Sequence, residues 1–124
     1  MLRSVQVELN LDEEQRDIVR RTCEEFNKAF NIAAKYCLEF NSGNYYEINK
    51  LCYYDQRSQC PSLPAAMVQS STKSAAGNYK VCHAAMVRKK MSYLIEQLTM
   101  TLRGDQLTFS TVEKRIRTII SLPD

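Results

Sequence analysis

NSGNYYEINKLCYYDQRSQCPSLPAAMV, residues 41–68, joins long helical patterns on either side through a short, heavily punctuated connection. Asn41-Ser42-Gly43-Asn44 stops one helix and starts another: Gly43 tolerates the left-handed conformation of a C-cap, and Asn44 can cap the second helix. Leu51, Tyr54 and Arg57 then recur at helical spacing. Cys60-Pro61-Ser62-Leu63-Pro64 breaks this short second helix, because each proline disfavours helix in the residue before it and lacks an N–H donor. Pro64 is placed to open a third helix.

Upstream of this stretch, Ile18/Val19, Thr22, Phe26, Ala29/Phe30, Ala33, Cys37 and Phe40 step by three or four, which predicts one long amphipathic helix ending near Phe40. Its N-cap is Asn10 or Asp12, and the carboxylates of Asp12-Glu13-Glu14 suit the positive end of the helix dipole. Asn27 and Asn31 sit one turn apart beside the apolar stripe, where partly buried amides need partners. Before the helix, Val5-Gln6-Val7-Glu8-Leu9 alternates with period two and predicts a strand.

Downstream, the third helix is expected from Pro64 to Gln97. Ala65, Ala66, Ser70, Ser71, Ser74, Ala75, Ala76 and Gly77 make its first half small, allowing close approach to another helix or to a nucleic-acid backbone, with Gly77 an expected kink or break. The second half turns larger and more basic through Met86-Val87-Arg88-Lys89-Lys90. The period then returns to two. Leu98, Met100 and Leu102 alternate with Thr99, Thr101 and Arg103; Gly104-Asp105 makes a two-residue hairpin turn; Leu107 and Phe109 carry the return strand. A third strand over Arg115–Ile120 is anchored by Ile116 and Ile119/Ile120. A lone N-terminal strand would leave an exposed edge unless it paired with this meander. The expected fold is therefore α+β: about three helices inserted between an N-terminal strand and a C-terminal β-meander, the strands forming one small sheet or partial barrel. Residues 1–10 and 98–124 make the sheet unit and residues 11–97 the helical insert.

Composition sets wide limits. The 124 residues are 44% apolar and 25% charged, as in a globular domain. No apolar run reaches the ~20 residues that span a bilayer, and the N-terminus lacks a signal-peptide core, so the expected compartment is the cytoplasm, with no membrane partner. The five cysteines, Cys23, Cys37, Cys52, Cys60 and Cys82, are odd in number and form no CxxC pair, which argues for reduced thiols rather than a disulfide framework or zinc ribbon. The net charge of +3 is unevenly spread: residues 1–60 carry 8 Lys/Arg against 10 Asp/Glu, and residues 61–124 carry 9 against 4. Such a basic half suits phosphate contacts; an ordinary solvated face has the same composition.

The sequence holds no catalytic constellation beyond a formally possible Cys–His dyad between His83 and a distant thiol, for which nothing orients the base. Asp12, Glu13, Glu14 and Asp17 form the acidic start of a helix, and His83, the single histidine, follows Cys82 directly, so in a helix the two side chains diverge by about 100°. With only Gly43, Gly77 and Gly104, there is no glycine-rich phosphate loop. The expectation is a protein that is not an enzyme, with no cofactor, no metal and no small-molecule substrate.

Three segments together resemble a known family. Leu11-Asp12-Glu13-Glu14-Gln15 with Phe26-Asn27 and Phe30-Asn31 resembles the N-terminal helix of the OrfB/TnpB proteins encoded by insertion sequences. Leu51…Tyr54-Asp55-Gln56-Arg57…Pro61-Ser62-Leu63-Pro64-Ala65 is similar to that family's following connection, and Leu102-Arg103-Gly104-Asp105-Gln106-Leu107-Thr108-Phe109-Ser110-Thr111-Val112-Glu113-Lys114-Arg115-Ile116 to its hairpin. Lys114 stands where the family usually has glycine, and the basic stretch Arg88–Lys90 is shorter than in many members. The resemblance implies the N-terminal part of an RNA-guided nuclease, a helical recognition-type lobe inserted in a wedge-like barrel that grips guide RNA and the guide–target duplex. The acidic nuclease site and zinc ribbon of that family would lie beyond this chain.

The leading expectation is thus binding of RNA or an RNA–DNA duplex. Candidate phosphate contacts are Lys73, Lys80, Arg88, Lys89, Lys90, Arg103, Arg115 and Arg117. Tyr45, Tyr46, Tyr53 and Tyr54, interleaved with Lys50 and Arg57, are candidates for stacking on exposed bases, or else for amphipathic packing with their hydroxyls at the surface. The alternatives are a protein-interaction module that forms a homodimer through exposed apolar surface, and a helix-turn-helix DNA-binding regulator using Asn49, Lys50 and Gln56.

Overall fold

The computed structural model describes residues 6–93 and 100–121. Elements run β1 (Glu8–Leu9), α1 (Glu13–Phe40), α2 (Tyr45–Gln59), α3 (Ala65–Cys82), β2 (Met100–Arg103), β3 (Gln106–Phe109) and β4 (Ile116–Ser121). The four strands form an antiparallel sheet in the order β1-β4-β3-β2, so the first strand pairs with the last and the helices lie between them in sequence. The α+β architecture read from the sequence is the one observed. Val5, at the start of the expected first strand, and Leu98 and Thr99, at the start of the second, lie outside the described residues.

Local chemistry fixes most boundaries. Asp12, not Asn10, caps α1: its carboxylate accepts from the Gln15 N–H at 2.8 Å while the Gln15 side chain accepts from the Asp12 N–H at 3.1 Å, a capping box. Asn10 instead ties the sheet, its Nδ2 donating to the Ile119 carbonyl at 2.8 Å while the Thr118 hydroxyl donates to the Asn10 carbonyl at 2.8 Å. At the far end of α1 the left-handed residue is Asn41 (φ 49°), not Gly43. The Ser42 N–H returns to the Cys37 carbonyl and the Asn41 N–H to Leu38, a Schellman closure. Gly43 is glycine for space: a Cβ there would sit 2.5 Å from Lys80 Cγ and 3.0 Å from the Ala76 carbonyl oxygen. Asn44 caps α2 by accepting from the Tyr46 and Glu47 N–H groups. Gly104 holds φ 61° at the first position of the two-residue β2–β3 turn, and Asp105 has no positive φ, the pattern of a type II′ hairpin.

The third helix is shorter than its periodicity suggests. It runs through Gly77 without a break and stops at Cys82, where His83 turns left-handed (φ 52°) and its N–H bonds the Tyr79 carbonyl at 2.8 Å. Residues 84–93 form no helix but a strap along α1, and residues 94–97 of the expected helix lie outside the described residues. The cause is tertiary. Asn31 exchanges a pair of hydrogen bonds with the Arg88 backbone (2.7 and 3.2 Å), and Asn27 donates to the Lys90 carbonyl at 2.8 Å. These buried-face amides find their partners in the strap and so replace helical hydrogen bonding there.

The three helices enclose Phe30, Ala33, Ala34, Cys37, Ile48, Cys52, Ala75, Ala76 and Tyr79 at one end and Phe26, Ala29, Cys60, Leu63, Met67 and Val68 at the other. Buried Ser70, Ser71, Ala75 and Ala76 show that the small residues of α3 serve helix packing. Gln56, fully buried, staples the bundle by donating to the Ala29 carbonyl and Thr72 hydroxyl, each at 2.9 Å. A third cluster, Ile18, Phe109 and Ile116, packs the sheet onto α1. Tyr93 touches the second and third clusters, and the Val112 N–H donates to the Thr22 hydroxyl at 3.2 Å, with an Arg21–Glu113 ion pair beside it.

Candidate nucleic-acid interface

Strand alternation divides the sheet into two chemically different faces. Leu107, Phe109, Ile116 and Thr118 share the face that packs on α1, with Phe109, Ile116 and Thr118 all buried. The opposite face is built from the intervening residues. Register aligns Thr101, Thr108 and Arg117 across β2, β3 and β4, and Arg103, Gln106 and Ile119 in the next row. Directly paired residues project to the same side, so these rows stand together on the outer face. Arg115 joins them: Thr101, Arg103, Gln106, Thr108, Arg115 and Arg117 line one concavity of about 310 Å³.

Three guanidinium groups, two hydroxyls and an amide therefore converge on a concave surface. Among the described residues, salt bridges join Arg20 and Arg21 of α1 to Asp17, Glu24 and Glu113. The Arg115 Nε donates to the Ser110 hydroxyl at 3.4 Å, which orients its fork. Arginine forks bind anionic oxygens in bidentate fashion, and hydroxyl and amide groups between them can donate to further oxygens or to sugar hydroxyls. This surface is suited to an extended polyanion.

The other candidates are dispersed over the helices. Lys73 places its ammonium 5.3 Å from the Tyr45 ring centroid, and the Lys80 stem lies against Gly43. Arg88 is committed internally: its guanidinium donates to the Asn27 side chain and, at 2.8 Å, to the Ser92 carbonyl, and it stacks 4.8 Å over the Phe26 ring. Burial draws its pKa below the ordinary arginine value. Lys89 lines an open groove of about 470 Å³ with Lys28 and Lys35 of α1, whereas Lys90 borders a second cleft with Met86 and Val87. Arg57 donates to the Leu63 carbonyl at 2.6 Å and so holds the proline loop. Tyr53 packs against the core, while Tyr54 is 83% exposed. Thr101, Gln106 and Thr108 were not singled out by sequence, although the Gly104-Asp105 turn, which sets Arg103 opposite Gln106, contains the information needed to place them.

Among the described residues no three His, Cys, Asp or Glu side chains are close enough to hold a metal ion. Burial pushes the thiols of Cys52 and Cys60 up to about 11, which keeps them protonated, and raises Cys23 and Cys37 as well. His83 serves as the left-handed C-cap of α3, its ring edge-on to Tyr79 at 5.8 Å. Among the described residues no helix is long and apolar enough to cross a membrane.

No protein-family model, curated protein or solved structure matches this chain.

Proposed function

We propose that this chain is a non-catalytic nucleic-acid-binding module that grips the sugar–phosphate backbone of RNA, or of an RNA–DNA duplex, with the outer face of its sheet. The convergence of Arg103, Arg115 and Arg117 on one concave, hydroxyl-lined surface carries this reading. Strand register and the adjoining turn gather the three arginines on one face, where their forks can reach the same ligand. The resemblance to the N-terminal part of an RNA-guided nuclease points to the same ligand, and it is from that family that a guide-type RNA and a transposition-linked role are inferred.

The reading is tested by filter-binding titration of a structured RNA over a range of salt. Each phosphate neutralised contributes roughly −0.7 to −0.9 to the slope of log K against log salt, so three arginines give a slope of about −2 to −3. Absence of RNA retention at low salt would refute it.

A further inference from the structure

A second surface has the chemistry of base recognition rather than backbone recognition. Tyr46 and Tyr54 are 82% and 83% exposed, an unusual outlay of aromatic surface for one short helix. Eight residues apart on α2, they stand about 12 Å apart along the axis and within about 80° around it, with Lys50 midway. Each ring is braced edge-on by its half-buried neighbour: Tyr45–Tyr46 at 5.2 Å and 65°, Tyr53–Tyr54 at 6.0 Å and 74°.

Two lysines of α3 lie close to this helix. Lys73 sits over Tyr45, and Lys80 packs against Gly43 at the start of α2. Hydrogen bonds orient the two carboxylates of the helix and leave their charge in place: Glu47 accepts from the Ser42 hydroxyl at 3.0 Å, and Asp55 from the Tyr36 hydroxyl at 3.3 Å and the Gln59 amide at 2.7 Å. We infer that the outer face of α2 is a stacking platform for unpaired bases, Tyr46 and Tyr54 each taking one base while Lys50 meets the intervening phosphates. The inference rests on the chain binding a polynucleotide at its sheet, and it adds that this ligand carries a single-stranded stretch. At the ~3.4 Å spacing of a stacked strand, the two rings are roughly three to four nucleotides apart.

The test compares the full chain with Y46A/Y54A and Y46F/Y54F on two probes of equal phosphate count, an unpaired RNA oligonucleotide and a blunt RNA duplex, by fluorescence anisotropy. Two lost base–ring stacks should weaken the unpaired probe by about 30-fold or more, leave the duplex within about twofold, and be largely rescued by phenylalanine. Equal effects of Y46A/Y54A on both probes, or none on either, would overturn the stacking role; if R103Q/R117Q still weakened both probes, the sheet reading would stand. Failure of the unmodified chain to bind either probe would remove both. A dimer that Y46A/Y54A converts to monomer, seen by light scattering, would assign α2 to protein contact instead and overturn the inference.

Discussion

Replacing Arg103, Arg115 and Arg117 together by glutamine is expected to lower affinity for structured RNA on the order of a thousandfold at low salt. Each fork makes charge-assisted hydrogen bonds of about 1.5 kcal/mol or more, and three of them act on one ligand. The slope of log K against log salt should become shallower by about 2 to 3, because the counterions those phosphates would release stay bound. Folding should be almost untouched. The three side chains are exposed and point away from α1, and exposed substitutions of this kind change stability by roughly 0.5 kcal/mol or less. Lysine at the same positions separates charge from geometry: the salt slope is retained while affinity falls part of the way, since an ammonium cannot bind in bidentate fashion. The same substitution at Arg20, whose guanidinium is already paired with Asp17 and Glu24, should leave binding unchanged.

Phe26→Ala is expected to be the most damaging single truncation, costing about 3–5 kcal/mol. Phe26 is fully buried among Ala29, Cys60, Leu63, Met67 and Val68. Its ring also meets Tyr93 at 6.4 Å and carries the Arg88 guanidinium at 4.8 Å. The truncation therefore opens a cavity and removes the seat of the strap that leads into the sheet. For a domain of this size, thermal unfolding followed by circular dichroism should shift down by roughly 10–20 °C. Phe26→Leu, which keeps most of the volume but not the cation–π contact, should cost much less. A loss below ~1 kcal/mol in Phe26→Ala would show that the helical and strap packing does not depend on this ring.

What could be read in the sequence was whatever local chemistry decides. Period-two alternation gave the strands, Gly104-Asp105 the hairpin, Asn44 the cap of the second helix and two candidates, Asn10 and Asp12, for that of the first, and the edge-strand argument the pairing of the two chain ends. What could not be read was decided by contacts between distant residues. Met86, Val87 and Met91 continue an apolar helical rhythm, yet they are 50%, 69% and 65% exposed, because Asn27 and Asn31, some sixty residues earlier, draw the Arg88 and Lys90 backbone into a strap. Gln56 reads as a surface residue able to contact bases, but its amide bonds inside the bundle. Gly43 signals a left-handed cap, and only the approach of Ala76 and Lys80 shows that it answers a need for space. The candidate arginines were legible by type. Their gathering on one face depends on strand register, which alternation suggests and the short turn fixes.

The most direct measurement is a two-dimensional NMR titration of the arginine side-chain Nε–Hε resonances with a structured RNA at low salt. The Hε signals of Arg103, Arg115 and Arg117 should shift together and saturably, while those of the ion-paired Arg20 and Arg21 and the loop-holding Arg57 stay in place. Perturbations confined to the helical arginines, with the three sheet arginines unmoved at saturating RNA, would contradict the assignment of the sheet face as the binding surface.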